Sequence, residues 1–554
     1  MLERAVDNWL DKASERSFQV PFCYMLSRQG YTIVHISSHN AMELGKDVLA
    51  VDKKGTPCAF QLKGGDVSLR KWRDEVAAQV RDLAYGTVTH PSIDPSKRHR
   101  PFLVTNGNID ETVQRAINDE NETLKSLGLP QIETRVGGQL KAEAKALQSD
   151  LWPSELVDAK DLLELYLHEG KDVFPKAKLA SLLESTLPFR KTAQGRRQPK
   201  RACNRAISSA AVLTALILSS FTEEENHVAE IEAWTLYVAY ALALAERWNL
   251  EPKYYEAEVE IALRAIKNAL TDLAEEVMER QHLAEGLATV DEPFYRVRVT
   301  WVAALLCILS MWRRADGEKQ TDIDRFTRQF ATNNAQSWAL WGEAAISQFL
   351  AIYWHTKLIL ASSRQADGLL GMLANSVCDS KKPGIDSGLP DIYLEAADCL
   401  PYLADEELRQ VLPDELKVQL AKEPLTVSYR GYSHTLEGLT HLLVQQNWKR
   451  QMKLLWPNVT RINLHRFEFD EPWHFYRWRN EGGTEKFIMP KHTQSWDELK
   501  AAANSTTGEG LPALIRQRPL FALLFLCVCP HRISAPALRW MNVSLKKTVY
   551  RTGT

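Results

Sequence analysis

Strand-like runs are confined to two stretches of this chain, and everything between about residue 150 and residue 422 reads as helix. Period-two alternation marks strands and period 3.6 marks amphipathic helices, so the distribution of the two periods limits the architecture before any single residue is considered. It predicts a multidomain, predominantly α protein. An α/β domain occupies 1–150, an all-helical repeat or bundle region 151–422, and a small α+β domain 423–554. A length of 554 residues suits three or four such units.

Within the first stretch the expected order is α-β-β-β-α-β-α. A helical pattern through Val6, Leu10, Ala13, Phe18, Phe22, Met25 and Leu26 precedes strand-like runs at Tyr31–Ser37, Asp47–Asp52 and Cys58–Lys63. Leu69, Trp72, Val76, Val80 and Leu83 recur at steps of three and four, as on one face of a helix. A strand at Phe102–Thr105 leads to a helix that Asn108 and Glu111 would open as a capping box, and a last strand is expected near Ile132–Val136.

The middle region shows amphipathic segments at 204–221, 229–248, 255–280, 295–313, 335–360 and 389–421, with no fixed repeat period. Thr222 with Glu225 gives the second of them a capping-box signature. The last region combines LTVSY, an amphipathic stretch 434–456, the alternating VTRINLHRFEF and a helix capped by Ser495 with Glu498. The apolar run Leu520–Cys529 ends at Pro530 and reads as a core helix. No chemistry is legible beyond residue 425.

Basic residues (68) and acidic residues (70) nearly cancel, so a polyanion partner must be met by a local patch. The eight cysteines include no CxxC and lie mostly in apolar runs, which fits a reducing, cytoplasmic setting. MLERAVDNWLDK carries charges where a secretion signal needs an apolar core, and Ala206–Thr222, the longest uncharged run, is too short and too rich in Ser and Thr for a bilayer span. No membrane partner is expected.

The chemistry concentrates between Glu43 and Lys63. Alternate strand residues share a face, so Gln61 and Lys63 point one way and Phe60 and Leu62 the other. If Val48 and Ala50 lie on the Phe60/Leu62 face, an odd-length loop places Asp47 with Gln61 and Lys63. An acid, an amide oxygen and an ammonium then converge, and Glu43 offers a second carboxylate. This set suits metal-assisted phosphodiester hydrolysis. Mg²⁺, or Mn²⁺ in its place, takes oxygen from Asp47, the Gln61 side chain, the Leu62 carbonyl and Glu43, while Lys63 holds the water, neutralises phosphoryl charge or serves as base.

Glu43…Asp47…Gln61-x-Lys63 within α-β-β-β-α-β resembles the PD-(D/E)XK nuclease superfamily, most closely its Mrr-type restriction endonuclease branch with a Q-x-K motif. Phe18, Gln29-Gly30-Tyr31, Gly45-Lys46-Asp47 and Val104-Thr105-Asn106-Gly107 belong to the likeness, which covers about residues 1–140. It implies a restriction-endonuclease-like fold, magnesium-dependent DNA cleavage by Asp47, Gln61 and Lys63, and pairing into a homodimer or larger complex. Lys46 replaces the namesake proline, Gln61 replaces the commoner acid, and Gln19 stands where relatives often carry a helix-borne Glu, so no catalytic role falls to residue 19.

Secondary candidates surround this core. Arg70, Lys71 and Arg73 open the helix after the hairpin, and residues 53–100 hold ten Lys/Arg against five Asp/Glu, a phosphate-facing surface or a solvated helix face. Arg190, Lys191, Arg196, Arg197, Lys200, Arg201 and Arg205 lie in a stretch without acids, and Trp473, Phe475, Tyr476 and Trp478 interleave with His474, Arg477 and Arg479 as a base-stacking motif would. His35 and His39 are read as structural. No G-x-x-x-x-G-K-[ST], H-E-x-x-H or G-x-S-x-G is present, so any ATP gating requires a separate ATPase or sensor subunit. The expected function is a DNA endonuclease of restriction or antiphage defence, its helical region serving as sensor or partner-binding module. The alternatives are a catalytically silent, DNA-binding interaction scaffold and an RNA-cleaving effector.

Overall fold

A computed structural model describes residues 2–37, 46–88, 90–94, 96–147, 150, 159–280, 292–333, 338, 340–381, 431–480, 483–505, 508–529 and 532–550. The protein is predominantly helical, with two small sheets. It divides into two compact units, Met1–Leu273 and Ala274–Thr554.

The first unit opens with α1 (Leu2–Lys12) and α2 (Glu15–Gln29), where the pattern suggested continuous helix. Ser14 separates them: its extended backbone and its hydroxyl, accepting from Ser17 N, make it the N-cap of α2. Gly30 ends α2 at φ 92°, the left-handed conformation glycine adopts without a Cβ penalty. Strands β1 (Thr32–Ile36), β2 (Val48–Val51), β3 (Pro57–Lys63), β4 (Arg100–Thr105) and β5 (Glu133–Arg135) form one sheet in that order. The first two pairings are antiparallel and the last two parallel. Val48 faces Phe60 and Ala50 faces Cys58, the register that an odd loop requires.

Both faces of the sheet are covered, so its strands are buried nearly throughout. On one face Phe22 of α2 meets Phe60 edge-on at 5.4 Å, and Phe60 stacks on Phe102 at 4.7 Å. On the other, Trp72, Val76, Val80 and Leu103 join Val113 and Ile117 of the helix Glu111–Ser126 in one apolar cluster. Helices Lys200–Glu223, His227–Trp248 and Glu256–Arg280 belong largely to this unit too. Arg264 donates to the Val34 carbonyl, and Asn268 to those of Ile36 and Ser37, so polar groups that edge strand β1 would otherwise leave open are satisfied.

The second unit holds Glu292–Ala315, Asp322–Asn333, Ile346–Leu358, Ser363–Ser380, Leu436–Gln445, Lys449–Val459, Trp496–Asn504, Pro519–Val528 and Ala535–Val549, with a sheet of Tyr432–Ser433, Asn463–Glu468 and Thr484–Ile488. Lys200–Glu223, His227–Trp248 and Tyr295–Ala315 are long and apolar enough to cross a membrane, but 78 %, 89 % and 72 % of their apolar windows are buried inside the protein.

Several local expectations are corrected. Asp110, not Asn108, is the N-cap of Glu111–Ser126, and Asn226, not Thr222, caps His227–Trp248, because Thr222 still belongs to the preceding helix. The stretch 434–456 breaks at Asn447, whose φ of 60° is left-handed. The helix expected over 335–360 starts only after a 3-10 turn at Glu343–Ala345. Trp473, Phe475 and Tyr476 are buried, so they pack the interior and offer no stacking surface. The Ser495/Glu498 capping box forms as expected. The segment 389–421, LTVSY, His39 and Cys399 lie outside the described residues; the other seven cysteines are buried.

His355 is fully buried in Ile346–Leu358, and neither ring nitrogen has a hydrogen-bond partner among the described residues. Burial pushes its pKa down to about 4, with Asp324 opposing and Arg328 reinforcing. Between the ordinary histidine value and about pH 4 the unfolded chain binds a proton that the folded protein refuses, so stability is lost as pH falls through that window. The contribution is on the order of 3 kcal/mol. His355→Phe should therefore narrow the difference between urea midpoints at neutral pH and in mild acid; an unchanged difference would contradict the assignment.

Candidate active site

β2 and β3 bring Asp47 and Gln61 together. Gln61 Nε2 donates to Asp47 Oδ2 at 2.7 Å, and the Leu62 amide donates to the same oxygen at 2.5 Å. Asp47 N donates to the Phe60 carbonyl at 2.9 Å, which extends the ladder and fixes the aspartate's facing. All three sequence-chosen side chains, Asp47, Gln61 and Lys63, are buried, with relative exposures of 8 %, 3 % and 3 %.

Lys63 does not join Asp47. Its ammonium donates to Glu75 Oε1 at 2.7 Å and to the Glu15 carboxylate at 3.2 and 3.3 Å. Burial alone would push this lysine down; Glu75 and Glu15 together outweigh it and hold the pKa above the ordinary lysine value. The hydrogen bond from Lys63 in turn keeps Glu75 below the usual carboxylate range, against its own desolvation. Lys63 is therefore a cation in this arrangement, which suits charge neutralisation and disfavours a base role.

Glu15 and Glu75 were not singled out from the sequence. Glu15 is the first residue of α2, one turn before Gln19, and its signal was Ser14-Glu15, a capping residue followed by an acid in the first helical turn. Gln19 itself donates to the carbonyls of Ser37 and Asp47. Glu75 lies in a π-helical turn, Trp72–Val76, that interrupts the helix after the hairpin; such turns frequently occur at functional sites.

The rim is tied by Asn106. Its Nδ2 donates to the Leu10 and Ala13 carbonyls ahead of α2, and its Oδ1 accepts from Gly65 N. Thr105 Oγ1 donates to the Gly65 carbonyl. A Cβ on Gly107 would lie 2.3 Å from the Gly65 carbonyl carbon, so this approach requires glycine. The end of β3 and the start of α2 are thereby held together, and Glu15 is placed against Lys63.

Lys46 points elsewhere, donating to the Thr87 carbonyl, and burial lowers its pKa with Asp82 opposing. Glu43 lies outside the described residues. Arg70 and Arg73 are exposed, with Arg70 3.5 Å from Asp74, whereas Lys71 folds back onto the Gly64 carbonyl at 2.7 Å. In the basic stretch Lys200 pairs with Glu251 and Arg197 donates to the Asn249 carbonyl; Arg190, Lys191, Arg196, Arg201 and Arg205 are exposed.

Among the described residues no group of three or more His, Cys, Asp or Glu side chains is placed to hold a metal. A hard ion would rely on mixed oxygen donors instead. Gln61 Oε1 is buried, has no hydrogen-bond partner among the described residues, and belongs to the side chain whose nitrogen contacts Asp47. An orphaned buried acceptor is costly, and a cation is one way to satisfy it. The donor chemistry of Asp47, Gln61 Oε1 and the Leu62 carbonyl thus fits a magnesium ion.

Comparison with protein-family models, curated proteins and solved structures finds no significant match to this chain.

Proposed function

We propose that the first unit is a magnesium-dependent nuclease of the PD-(D/E)XK kind, acting on DNA in restriction or antiphage defence. The observation that carries this reading is the orphaned Gln61 oxygen beside the Asp47 carboxylate, two residues before a buried lysine at the rim of the sheet. The α-β-β-β-α-β order with its antiparallel hairpin and parallel fourth strand supports it.

Asp47, Gln61 and the Leu62 carbonyl would hold the ion, with Glu43 as a further ligand. When bound, magnesium or manganese supplies a Lewis acid that orients and acidifies water. Lys63 neutralises charge growing on the phosphoryl oxygens, and Glu15 and Glu75 hold its ammonium in place. Arg70 and Arg73 are exposed and would meet backbone phosphates, Arg70 in exchange for its surface pair with Asp74. The remaining helical mass and the second unit act as sensor or docking platform, by analogy with other nucleases that need restraint. Cleavage of both strands would draw on a homodimer or larger assembly, and an ATP-driven step on a separate subunit.

A second reading is favoured by the closed network: Lys63 is engaged by two carboxylates and Asp47 Oδ2 by two donors, as in a nuclease fold retained for binding alone. Incubation of the full chain with supercoiled plasmid, single-stranded DNA and RNA, with Mg²⁺, Mn²⁺ or EDTA, separates these. Metal-dependent nicking of plasmid is expected. Cleavage of RNA only would convert the reading to an RNA-cleaving effector, and no metal-dependent cleavage of any substrate would establish the silent scaffold.

A further inference from the structure

Seven basic residues and no acid stand between Glu184 and Glu223, and no step of the proposed nuclease chemistry uses them. The segment that carries them is a hydrogen-bonded loop running into a helix, fixed at both ends. Phe189 is buried against Tyr240, and the Pro188 carbonyl accepts from the Trp248 indole at 2.9 Å. Thr192 N donates to the Arg196 carbonyl at 2.9 Å and Gly195 N to the Thr192 carbonyl at 2.8 Å, closing a turn that Gly195 permits at φ 70°. Gln198 Nε2 donates across the loop to the Arg190 carbonyl, and Arg197 donates to the Asn249 carbonyl at the end of His227–Trp248. Arg190 and Lys191 on one leg are thus held beside Arg196 and Arg197 on the other.

These cations face water without counter-charges. Arg190, Lys191, Arg196, Arg201 and Arg205 are exposed, and among the described residues none of them pairs with a carboxylate. Exposed arginines in other places are neutralised, Arg81 by Glu120, Arg115 by Glu111 and Arg325 by Asp322. Arg201 and Arg205 are one turn apart on the helix Lys200–Glu223 and so project on the same side. The acid that does reach this surface, Glu251, is taken by Lys200 and Lys253 together, and their hydrogen bonds pull its carboxyl down to about 2. Two ammoniums against one carboxylate leave that corner positive as well. No side chain caps the first amides of the 24-residue helix, so its dipole adds to the positive field.

Like charges held side by side repel one another, and a partner carrying a row of negative charges relieves that repulsion. Five of the seven cations are arginines, whose planar forks match phosphate oxygens. Arg190–Arg205 contains no aromatic residue, and Tyr254, beside Lys200, has the Lys200 and Lys253 ammoniums 5.6 and 5.2 Å from its ring centre. Proteins that hold single strands stack the unpaired bases on open aromatic faces, so a basic surface without one fits the outside of a duplex. We propose that this surface grips the sugar–phosphate backbone of double-stranded DNA, without regard to sequence, as an anchor separate from the candidate active site. The binding stands on the unpaired cations; only the choice of DNA over RNA rests on the nuclease reading.

The test is fluorescence anisotropy of a short, labelled, mixed-sequence DNA duplex titrated with the full chain in EDTA, where binding is read without cleavage. The duplex should bind more tightly than single-stranded DNA or duplex RNA of equal length. The combined variant Lys191→Gln, Arg196→Gln, Arg201→Gln and Arg205→Gln should weaken it by roughly 10-fold or more and flatten the slope of log affinity against log salt by about 2–4, each phosphate contact contributing about 0.9. The control Lys125→Gln, Lys145→Gln, Lys319→Gln and Arg450→Gln removes the same charge from exposed positions outside this surface and should leave affinity and slope unchanged. In the unaltered protein, bound duplex should shield Arg196 and Arg201 from phenylglyoxal, a readout that does not depend on how a variant folds. Absence of duplex binding, tighter binding of single strands or of duplex RNA, equal effects of the two combined variants, or no shielding of Arg196 and Arg201 would each overturn the proposal. A failure of metal-dependent cleavage, which bears on the nuclease reading, changes none of these measurements.

Discussion

Lys63→Ala is expected to lower metal-dependent plasmid nicking by about 10²–10³-fold, the usual cost of removing one group that stabilises developing charge. The fold should survive. Glu15 and Glu75, the two carboxylates left behind, are 29 % and 47 % exposed and can return to water, whereas the lysine they hold is only 3 % exposed. Near-UV circular dichroism should therefore be unchanged while cleavage is lost. Lys63→Arg retains the charge but replaces a compact ammonium with a planar fork, and should recover only part of the rate. Glu75→Gln separates the positioning role from the chemical one. It removes the strongest influence opposing burial at Lys63, so the pKa of the lysine should fall, and its reactivity toward an amine reagent should rise at lower pH than in the unaltered protein. Nicking by Lys63→Ala at the original rate would remove this lysine from the site.

Glu343→Ala should be among the most damaging single substitutions in the second unit, at about 3–5 kcal/mol. Glu343 and Lys381 form an ion pair at 3.2 Å with both side chains fully buried. Glu343 Oε2 also accepts from the His434 and Thr435 amides and from the Thr435 hydroxyl, at 3.0, 3.0 and 2.9 Å. Truncating the acid takes the carboxylate away from a buried ammonium and from those three donors, and each loss carries a desolvation cost. Lys381→Met should cost less, because the carboxylate keeps its three donors. A double variant, Glu343→Met with Lys381→Met, should recover part of the stability, since no charge then remains buried. Urea unfolding followed by far-UV circular dichroism reads all three. A Glu343→Ala midpoint equivalent to less than ~0.5 kcal/mol, the level of an ordinary surface substitution, would show that the pair carries no stability.

Much of the candidate site was readable because it is built on strands. A period of two leaves one choice of face, and the five-residue turn from Asp52 to Thr56 decides how β2 meets β3, so Asp47 and Gln61 could be paired from spacing alone. The caps were less legible. Thr222/Glu225 and Asn108/Glu111 match a capping box as well as Ser495/Glu498 does, yet only the last forms, because helix packing sets where each preceding segment ends. The partners of Lys63 were not legible at all. Glu15 is 48 residues away in sequence, and Glu75, though 12 residues off, is presented through a π turn that no periodicity announces.

By itself, then, the sequence determined the strands of the first sheet and the predominance of helix, and which side chains share a face of the central hairpin, because periodicity and turn length are local properties. Only the tertiary structure decided that Lys63 answers to Glu15 and Glu75, and that Trp473, Phe475 and Tyr476 are interior. Those outcomes depend on groups distant in the chain competing for the same buried volume. Desolvation makes that competition decisive: a buried charge takes whichever partner packing brings within reach, and spacing along the chain does not encode which one that is.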